Sequence, residues 1–412
     1  MNKTIIIIIM LGFLVPLTAI ALTANCEKNS ISECLLEKQD LMPDFYWHYN
    51  IIKYLTNYGD LPEKVLNGCD GGPNGDILIE DKSLDCFTKI TFHAPLYYYL
   101  SSLVLMFSRF LDLNEILMLQ ILSLVIFLFT NILFFILLKN LKINENFIKY
   151  SLMIFIFLPL SLYHSIMIHD NVLFYFLFIL VNLLFLFFSK NPKANFFWLG
   201  LFTGLSILTS LYGIIIILSL IIYLIFLILK KDNKAKFLFL SLVVSIIVGS
   251  YTFIRNYNLF GHPLGNFRDH MTPIDPSIIF RYFSGFWGGI SGGYDKIYLL
   301  VAFFSLLLTL TMIIGILKYY KLARRKGLNL FILVGILTLI SALNLTCNFI
   351  LLAFNGTCVG NHAHGRYFLS LIPVISIFSG IALSKINNKT SDIIIYGSSL
   401  IFSIDFIFAL VS

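Results

Sequence analysis

Apolar stretches of about twenty residues recur along the whole chain, and each is long enough to cross a hydrocarbon core of about 30 Å as an α-helix. Inside a bilayer, only helices and closed barrels satisfy their own backbone hydrogen bonds, and barrel strands would be shorter and alternating. Hydrophobic residues make up 58% of the 412 residues and charged residues only 12%, too few to cover a soluble globule. The sequence therefore predicts an all-α polytopic membrane protein.

Hydropathy predicts eleven transmembrane helices. They cover residues 5–23, 115–138, 147–167, 171–188, 196–212, 213–230, 236–254, 297–317, 328–350, 366–384 and 392–411. The first is either an uncleaved helix or a signal peptide, since small residues follow it. We interpret it as a helix, because its apolar run exceeds the usual signal core of about 7 to 15 residues. The predicted organisation is a first helix (1–23), an extracytoplasmic loop (24–114), a central transmembrane module (115–254), a second such loop (255–296) and C-terminal helices (297–412).

Basic residues concentrate in short connections between the predicted helices. Together with Lys3, these connections contain 17 of the 29 lysines and arginines. This is the pattern of cytoplasmic loops under the positive-inside rule. It predicts a multi-pass protein of the cell membrane with a cytoplasmic N-terminus, and it explains the net charge of +7 without a nucleic-acid partner.

The segment from Pro95 to Leu111 is short for a membrane span and contains three tyrosines, three serines and Arg109. If this segment crossed the membrane, every later basic connection would lie on the extracytoplasmic side. We therefore predict an amphipathic or re-entrant juxtamembrane helix on the outer surface, in contact with membrane lipids.

All six cysteines fall on the predicted extracytoplasmic side or at the outer ends of helices. Disulfides are favoured in an oxidising compartment, although six cysteines allow fifteen complete pairings and buried free thiols are the alternative. The candidate pairs are Cys26 with Cys34, Cys69 with Cys86, and Cys347 with Cys358.

The first polar loop contains Asp44 and His48. A short amphipathic helix is expected to begin after Pro43, with Asp44 at or near its N-cap. Capping alone would explain Asp44. Alternatively, Asp44 and His48 share one helical face at i, i+4, which suits a base with an orienting partner or two metal ligands.

A second acidic site, Asp170, follows His169 where two predicted spans meet with almost no loop. A carboxylate so close to hydrocarbon is costly unless it is paired, hydrated or bound. A hydrated turn residue is one interpretation. The other is that Asp170 and Asp44 face one membrane-level cavity and perform acid/base chemistry or bind a divalent metal ion.

Several cationic side chains are predicted at the same outer boundary. Arginines at helix ends often only extend toward the membrane interface, but as a group these residues suit a lipid-linked phosphate. The candidates for phosphate contact are His93, Arg255 and Arg366. His362 and His364 form a His-x-His pair, a weak signal for a metal or acceptor site.

The order of these motifs resembles the GT-C superfamily of membrane glycosyltransferases, particularly the branch of protein O-mannosyltransferases and lipid A aminoarabinose transferases. Members have an Asp-Glu pair, a Gly with a nearby Pro, and Lys/His-Pro-Pro-Leu-Tyr-Tyr in the first outer loop. The corresponding strings are Pro43-Asp44-Phe45, Gly59-Asp60-Leu61-Pro62 and His93-Ala94-Pro95-Leu96-Tyr97-Tyr98. Later matches are His169-Asp170-Asn171, Arg255-Asn256 and Gly365-Arg366-Tyr367. Phe45 replaces the second acid, and Ala94 replaces the first proline.

The resemblance implies transfer of a sugar from a polyprenyl-phosphate donor to a lipid, glycan or protein acceptor outside the membrane. By position, Asp44 would be the catalytic carboxylate, and Asp170 would support the acceptor site or a divalent ion. The residues that would contact the lipid phosphate or substrate are His93, Tyr97, Arg255 and Arg366.

Two other classes of function remain as alternatives. A transporter or lipid flippase would carry polar residues through the middle of several spans, whereas the candidate groups here gather at one side. A non-catalytic assembly subunit is the second alternative, and the replacement of the second acid by Phe45 is its support.

Overall fold

A computed structural model describes residues 3–23, 45–61, 94–261, 263, 271–273, 295–325, 357–359 and 370–411. Within these ranges the regular secondary structure is helical apart from one short antiparallel ladder. The described helices, numbered in chain order, are α1 Lys3–Thr23, α2 Phe45–Tyr58, α3 Leu96–Phe110, α4 Glu115–Asn140, α5 Glu145–Phe157, α6 Pro159–His164, α7 Asp170–Lys190, α8 Pro192–Thr209, α9 Gly213–Leu229, α10 Lys234–Phe260, α11 Asp295–Arg325, α12 Leu371–Leu383 and α13 Asn388–Val411.

Six described helices are long and apolar enough to cross a membrane: α1, α4, α7, α10, α11 and α13. Two shorter apolar helices, α9 and α12, accompany them. The predicted class, an all-α polytopic membrane protein, is confirmed. The number eleven stays a prediction, because the span expected over 328–350 lies outside the described residues.

The predicted span 147–167 is not one helix. Helix α5 ends at Phe157, and α6 begins at Pro159 after Leu158 with φ −59° and ψ 133°. Proline has no N–H for the helical ladder and disfavours the helical conformation of the residue before it, so the helix breaks there. After α6, residues 166–168 are fully buried and non-helical, and Ser123 Oγ donates to the Met167 carbonyl oxygen at 2.5 Å.

Helix α3 matches the predicted amphipathic segment. Its 15 residues extend about 22 Å, too short for a hydrocarbon core of about 30 Å. It buries Tyr97, Tyr98 and serine side chains but exposes Leu103, Phe107 and Phe110. A polar buried face with an apolar exposed face is the reverse of a helix in water, and it suits contact with lipid.

Helix α7 is the most enclosed of the six candidate spans, since 72% of its apolar window is buried against 28 to 50% in the others. It packs against α4 and α8. Its 21 residues, from Asp170 to Lys190, separate these two side chains by about 30 Å. Asp170 therefore lies at the opposite end of the bundle from the basic connection that follows α7.

At that opposite end, Lys149 of α5 forms an ion pair with Asp392 of α13, with Nζ and Oδ1 2.7 Å apart. The Tyr150 hydroxyl donates to the same carboxylate oxygen at 3.0 Å. Strand β1, Met271–Pro273, pairs antiparallel with strand β2, Thr357–Val359. This ladder joins a segment of the predicted loop 255–296 to a segment between the predicted helices 328–350 and 366–384.

Helix α2 ends at Gly59, whose φ of 78° is left-handed and whose N–H donates to the Leu55 carbonyl oxygen at 2.9 Å. Among the described residues, no atom lies within 4 Å of the position that a β-carbon would take there, so the opposition to a side chain comes from backbone strain. Because left-handed backbone costs an L-residue roughly 1–2 kcal/mol, Gly59→Ala should speed hydrogen exchange in the last turn of α2 about 5- to 30-fold. Gly59→Asn is the control, since asparagine tolerates this conformation better. Equal hydrogen-exchange rates in the two variants would contradict the role of the left-handed residue at the end of α2.

Candidate active site

Three buried titratable side chains meet at the N-terminal end of α7. His48 comes from α2, and His169 and Asp170 come from the start of α7. Their exposed fractions are 0%, 4% and 1%. The imidazole rings of His48 and His169 are tilted against each other with centroids 4.0 Å apart. The fold thus brings two distant motifs of the sequence into one cluster.

The orientation of the His48 ring is set by α3. The Tyr98 hydroxyl and His48 Nδ1 form a hydrogen bond of 2.7 Å, and the two rings are nearly parallel, with centroids 5.7 Å apart. Helix α2 packs against α3, so the bond joins the two juxtamembrane helices at the cluster. The bond holds the imidazole in one rotamer.

Asp170 is placed by the start of α7. His169 is the N-cap in extended backbone, and its Nδ1 accepts from the Asn171 N–H at 3.1 Å. Asp170 follows as the first helical residue, where the positive end of the helix dipole stabilises a carboxylate. His169 Nδ1 and Asp170 Oδ1 are 2.5 Å apart, so the imidazole and the carboxylate are in direct contact. Imidazole and carboxylate therefore form one acid/base unit.

Tyr97 lies on the buried side of α3, next to this unit. Its side chain is 0% exposed, and the Ser101, Ser123 and Asp170 side chains are its polar neighbours. Burial raises the pKa of the Tyr97 phenol, and the Asp170 carboxylate raises it further. The phenol is therefore a hydrogen-bond donor at neutral pH.

The cluster has a donor set that fits a metal ion. His48, His169 and Asp170 each offer a ligand atom, and these atoms lie within 4.8 Å of one another. Two imidazoles and one carboxylate are the ligands of several catalytic zinc and non-haem iron sites, which keep a position open for substrate.

A second polar cluster lies around Tyr99, beside Arg255 near the C-terminal end of α10. Desolvation raises the pKa of the Tyr99 phenol; Tyr251 and Asp60 raise it further, while the Arg255 guanidinium lowers it. Tyr99 is 40% exposed and Tyr251 51% exposed, so this cluster, unlike the first, is open. Successive tyrosines of α3 thus contact two different polar clusters.

The predicted site residues fall into two groups. One group comes together at one site and consists of His48, Tyr97, His169 and Asp170. Arg255 lies close to Tyr99, which belongs to the same helix, α3, as Tyr97. The remainder lie outside the described residues: Asp44, His93, His362, His364, Arg366, Cys26, Cys34, Cys69, Cys86 and Cys347. Asp44 immediately precedes the first residue of α2. Cys358 is in β2, and the disulfide pairings stay predictions.

Four residues near the two clusters were not selected from the sequence as site residues: Tyr98, Ser123, Asp60 and Tyr251. Tyr98 and Asp60 stand in strings that carry the family resemblance, which is a usable signal. Ser123 and Tyr251 stand in long apolar helices, where one polar side chain is common. Only the packing of α3 against α4 and the position of α10 connect them to the site.

No family model matches the chain, and no curated protein matches it by sequence. Solved structures do match. ArnT from Cupriavidus metallidurans bound to undecaprenyl phosphate aligns with a TM-score of 0.52 and 14% identity, over 97% of this chain and 63% of that chain. The Archaeoglobus fulgidus oligosaccharyltransferase complex with Zn and sulfate aligns with a TM-score of 0.54 and 14% identity, over 95% and 53%.

A third match is AglB from Archaeoglobus fulgidus in complex with an inhibitory peptide and a dolichol-phosphate, with a TM-score of 0.53, 13% identity and coverage of 96% and 56%. The chain spans less than two thirds of the length of each of these proteins. ArnT and AglB are both GT-C glycosyltransferases. The chain therefore has the GT-C fold, as its motifs predicted.

Proposed function

We propose that this protein transfers a sugar from a polyprenyl-phosphate donor to an acceptor hydroxyl at the extracytoplasmic face of the cell membrane. The observation that carries the proposal is the buried cluster of His48, His169 and Asp170 at one end of a GT-C fold. Related folds bind undecaprenyl phosphate in ArnT and dolichol-phosphate in AglB. The basic connections lie at the opposite end of the bundle, and this supports the assignment of the site to the outer face.

In the proposed reaction the acceptor oxygen bonds to the anomeric carbon while the bond from that carbon to the phosphate oxygen breaks. The acceptor proton must pass to a base, and the polyprenyl phosphate leaves with the electron pair. Asp170, paired with His169, is a base at the site, and His48 faces the same pair. The resemblance gave Asp44 the role of the catalytic carboxylate that deprotonates or orients the acceptor; with Asp170 as the base, we propose the orienting role for Asp44. General-base help of this kind typically contributes about 10² to 10⁴ in rate.

The leaving phosphate requires positive charge and hydrogen-bond donors. Arg255 is a candidate cation for this role, and it lies beside Tyr99 of α3. His93 and Arg366 are further candidates from the sequence. A guanidinium binds phosphate through two parallel N–H bonds, and the buried Tyr97 phenol adds a neutral donor for the substrate.

A divalent metal ion is compatible with the site. His48, His169 and Asp170 would hold it, and the ion would supply Lewis-acid stabilisation of negative charge on the donor. The oligosaccharyltransferase complex with Zn and sulfate supports a metal in this fold. The protein would contribute the buried pocket and the orientation of the ligands by Tyr98 and the Asn171 N–H.

The proposal is tested by reconstituting the protein in liposomes with radiolabelled hexoses and pentoses on undecaprenyl and dolichol phosphates. We expect saturable donor binding without an acceptor, and a labelled covalent product when membrane extract supplies acceptors. Movement of intact donor across the bilayer without any product would indicate a flippase instead. Failure to bind any polyprenyl-phosphate sugar would exclude the proposed class.

Arg255→Ala should weaken donor binding about 10- to 100-fold, since a hydrogen bond to a charged group contributes about 1.5–3 kcal/mol. Arg255→Lys should fall between the wild type and Ala, because lysine keeps the charge but loses the planar pair of donors. The measurement is the equilibrium dissociation constant for the donor lipid. Lys53→Ala removes one positive charge from α2 and serves as the control. An unchanged constant in Arg255→Ala would remove Arg255 from the donor site.

A further inference from the structure

A hydrogen-bonded network connects α2, which carries His48, to α3 and α4. Glu115, the first residue of α4, accepts from the Tyr49 hydroxyl at 2.5 Å through Oε2 and from Arg109 Nε at 2.7 Å through Oε1. Arg109, near the end of α3, also donates through Nη1 to Asn57 Oδ1 at 2.6 Å. Tyr49 and Asn57 both belong to α2. The network therefore attaches α2 at two points to α3 and α4.

The network is more than an exposed ion pair. Exposed pairs contribute little to stability because solvent screens them. Here Tyr49 is 3% exposed, and the Arg109 and Glu115 side chains are 33% and 20% exposed. Glu115 uses both carboxylate oxygens, and Arg109 uses two nitrogens, so the geometry of each side chain is fixed by two partners.

Helix capping alone does not distinguish Glu115 from its counterpart at the start of α5. Helices α4 and α5 begin with the same pair of residues: Asn114 and Glu115, and Asn144 and Glu145. Each asparagine caps its helix by accepting from the backbone N–H three residues later. Glu145 lies at the end of the bundle away from His48, while Glu115 contacts the residue that follows His48. Glu115 and Glu145 thus provide a matched comparison within one chain.

We propose that Glu115 and Arg109 are positioning residues that hold α2 in place and so fix His48 against His169 and Asp170. This inference rests on the proposed glycosyltransferase function. A helix of 14 residues is marginal by itself in water, so its position depends on external contacts. Glu115 and Arg109 both act through their hydrogen bonds to α2. Misplacement of a reacting group by about 1 Å can cost about 10² in rate, which sets the scale of the expected effect.

The first test is hydrogen–deuterium exchange of the full-length protein in detergent or nanodiscs, which requires no activity. Amides of α2 should exchange about 10-fold faster in Glu115→Ala than in wild type, while the exchange of α7 stays unchanged. Glu145→Ala removes the equivalent residue of α5 and should leave α2 unaffected. Unchanged exchange of α2 in Glu115→Ala, or faster exchange across the whole bundle, would overturn the proposal.

The second test is kinetic. Glu115→Ala and Arg109→Ala should each lower kcat about 10- to 100-fold with the donor KM within about twofold, because positioning affects the chemical step more than binding. Glu115→Gln, which keeps an acceptor for Tyr49, should recover part of kcat. In a double-mutant cycle, Tyr49→Phe should add little once Glu115 is Ala. Additive effects, or a change confined to KM, would contradict a positioning role.

The two tests separate the two proposals. If wild-type protein transfers no sugar, the proposed function fails, and the exchange of α2 still reports whether the network holds the helix. If transfer is present but neither α2 exchange nor kcat responds to Glu115→Ala, the network is only a surface contact and the positioning role fails.

Discussion

Asp170→Asn is expected to reduce sugar transfer by about 10² to 10⁴-fold, the usual contribution of a general base. Asparagine has nearly the same shape as aspartate and can still occupy the first position of α7, but its amide does not accept the acceptor proton. It also breaks the acid/base unit with His169, whose Nδ1 lies 2.5 Å from the carboxylate. The measurement is the initial rate of transfer at saturating donor in reconstituted liposomes.

Asp392→Asn is the control for Asp170→Asn. Asp392 also forms an ion pair with a basic side chain, Lys149, but at the opposite end of the bundle. We expect its transfer rate to stay within about threefold of wild type, since loss of a partly exposed pair costs only about 0–1 kcal/mol. Donor binding by Asp170→Asn should remain detectable. A variant that binds donor and transfers sugar at the wild-type rate would exclude Asp170 from the chemistry.

Gly200→Ala is expected to give the largest loss of stability among the substitutions considered. A β-carbon at this position would lie 2.4 Å from the Ser241 backbone carbonyl oxygen and 2.8 Å from Val244 Cβ. Glycine allows the backbones of α8 and α10 to approach closely, as small residues do in membrane helix pairs. Because backbone atoms rather than a flexible side chain block the space, the two helices must separate, at a cost of about 1–3 kcal/mol.

The measurement for Gly200→Ala is thermal unfolding in detergent, monitored together with donor binding. Helix α10 also carries Arg255, so displacement of α10 should weaken donor binding as well. Phe197→Ala, in the same helix, is the control because Phe197 is 48% exposed on a surface suited to lipid. If Gly200→Ala unfolds at the same temperature as this control, the close approach of α8 and α10 is not a source of stability.

Much of the architecture was predictable because membrane spans are encoded locally. The apolar runs predicted α1, α4, α7, α10, α11 and α13, and the basic connections predicted that Asp170 and Lys190 lie at opposite ends of the bundle. The break at Pro159 was also readable in principle, since proline acts on its immediate neighbours. Hydropathy missed it because a window of about twenty residues averages over a single proline.

The candidate site was predictable only in part. His48, His169 and Asp170 were each selected from their neighbours in the chain, but no local pattern shows that an α2 side chain meets the start of α7. Tyr98 was part of a quoted motif, yet its bond to His48 Nδ1 depends on the packing of α3. Arg109 appeared in the sequence only as a charge that argued against a membrane span.

The sequence by itself determined the class of fold, the candidate residues and the end of the bundle to which each belongs, because hydrophobicity and charge act over a single helix and its flanks. The tertiary structure decided which candidates form one cluster, and that Tyr97 and Tyr98 contact it while Tyr99 lies beside Arg255. It also decided that Glu115 bonds to α2 and α3, whereas Glu145 lies at the end of the bundle away from His48. The reason is physical: hydrogen bonds and close contacts act over about 3 to 4 Å. Whether two side chains come that close depends on how distant helices pack.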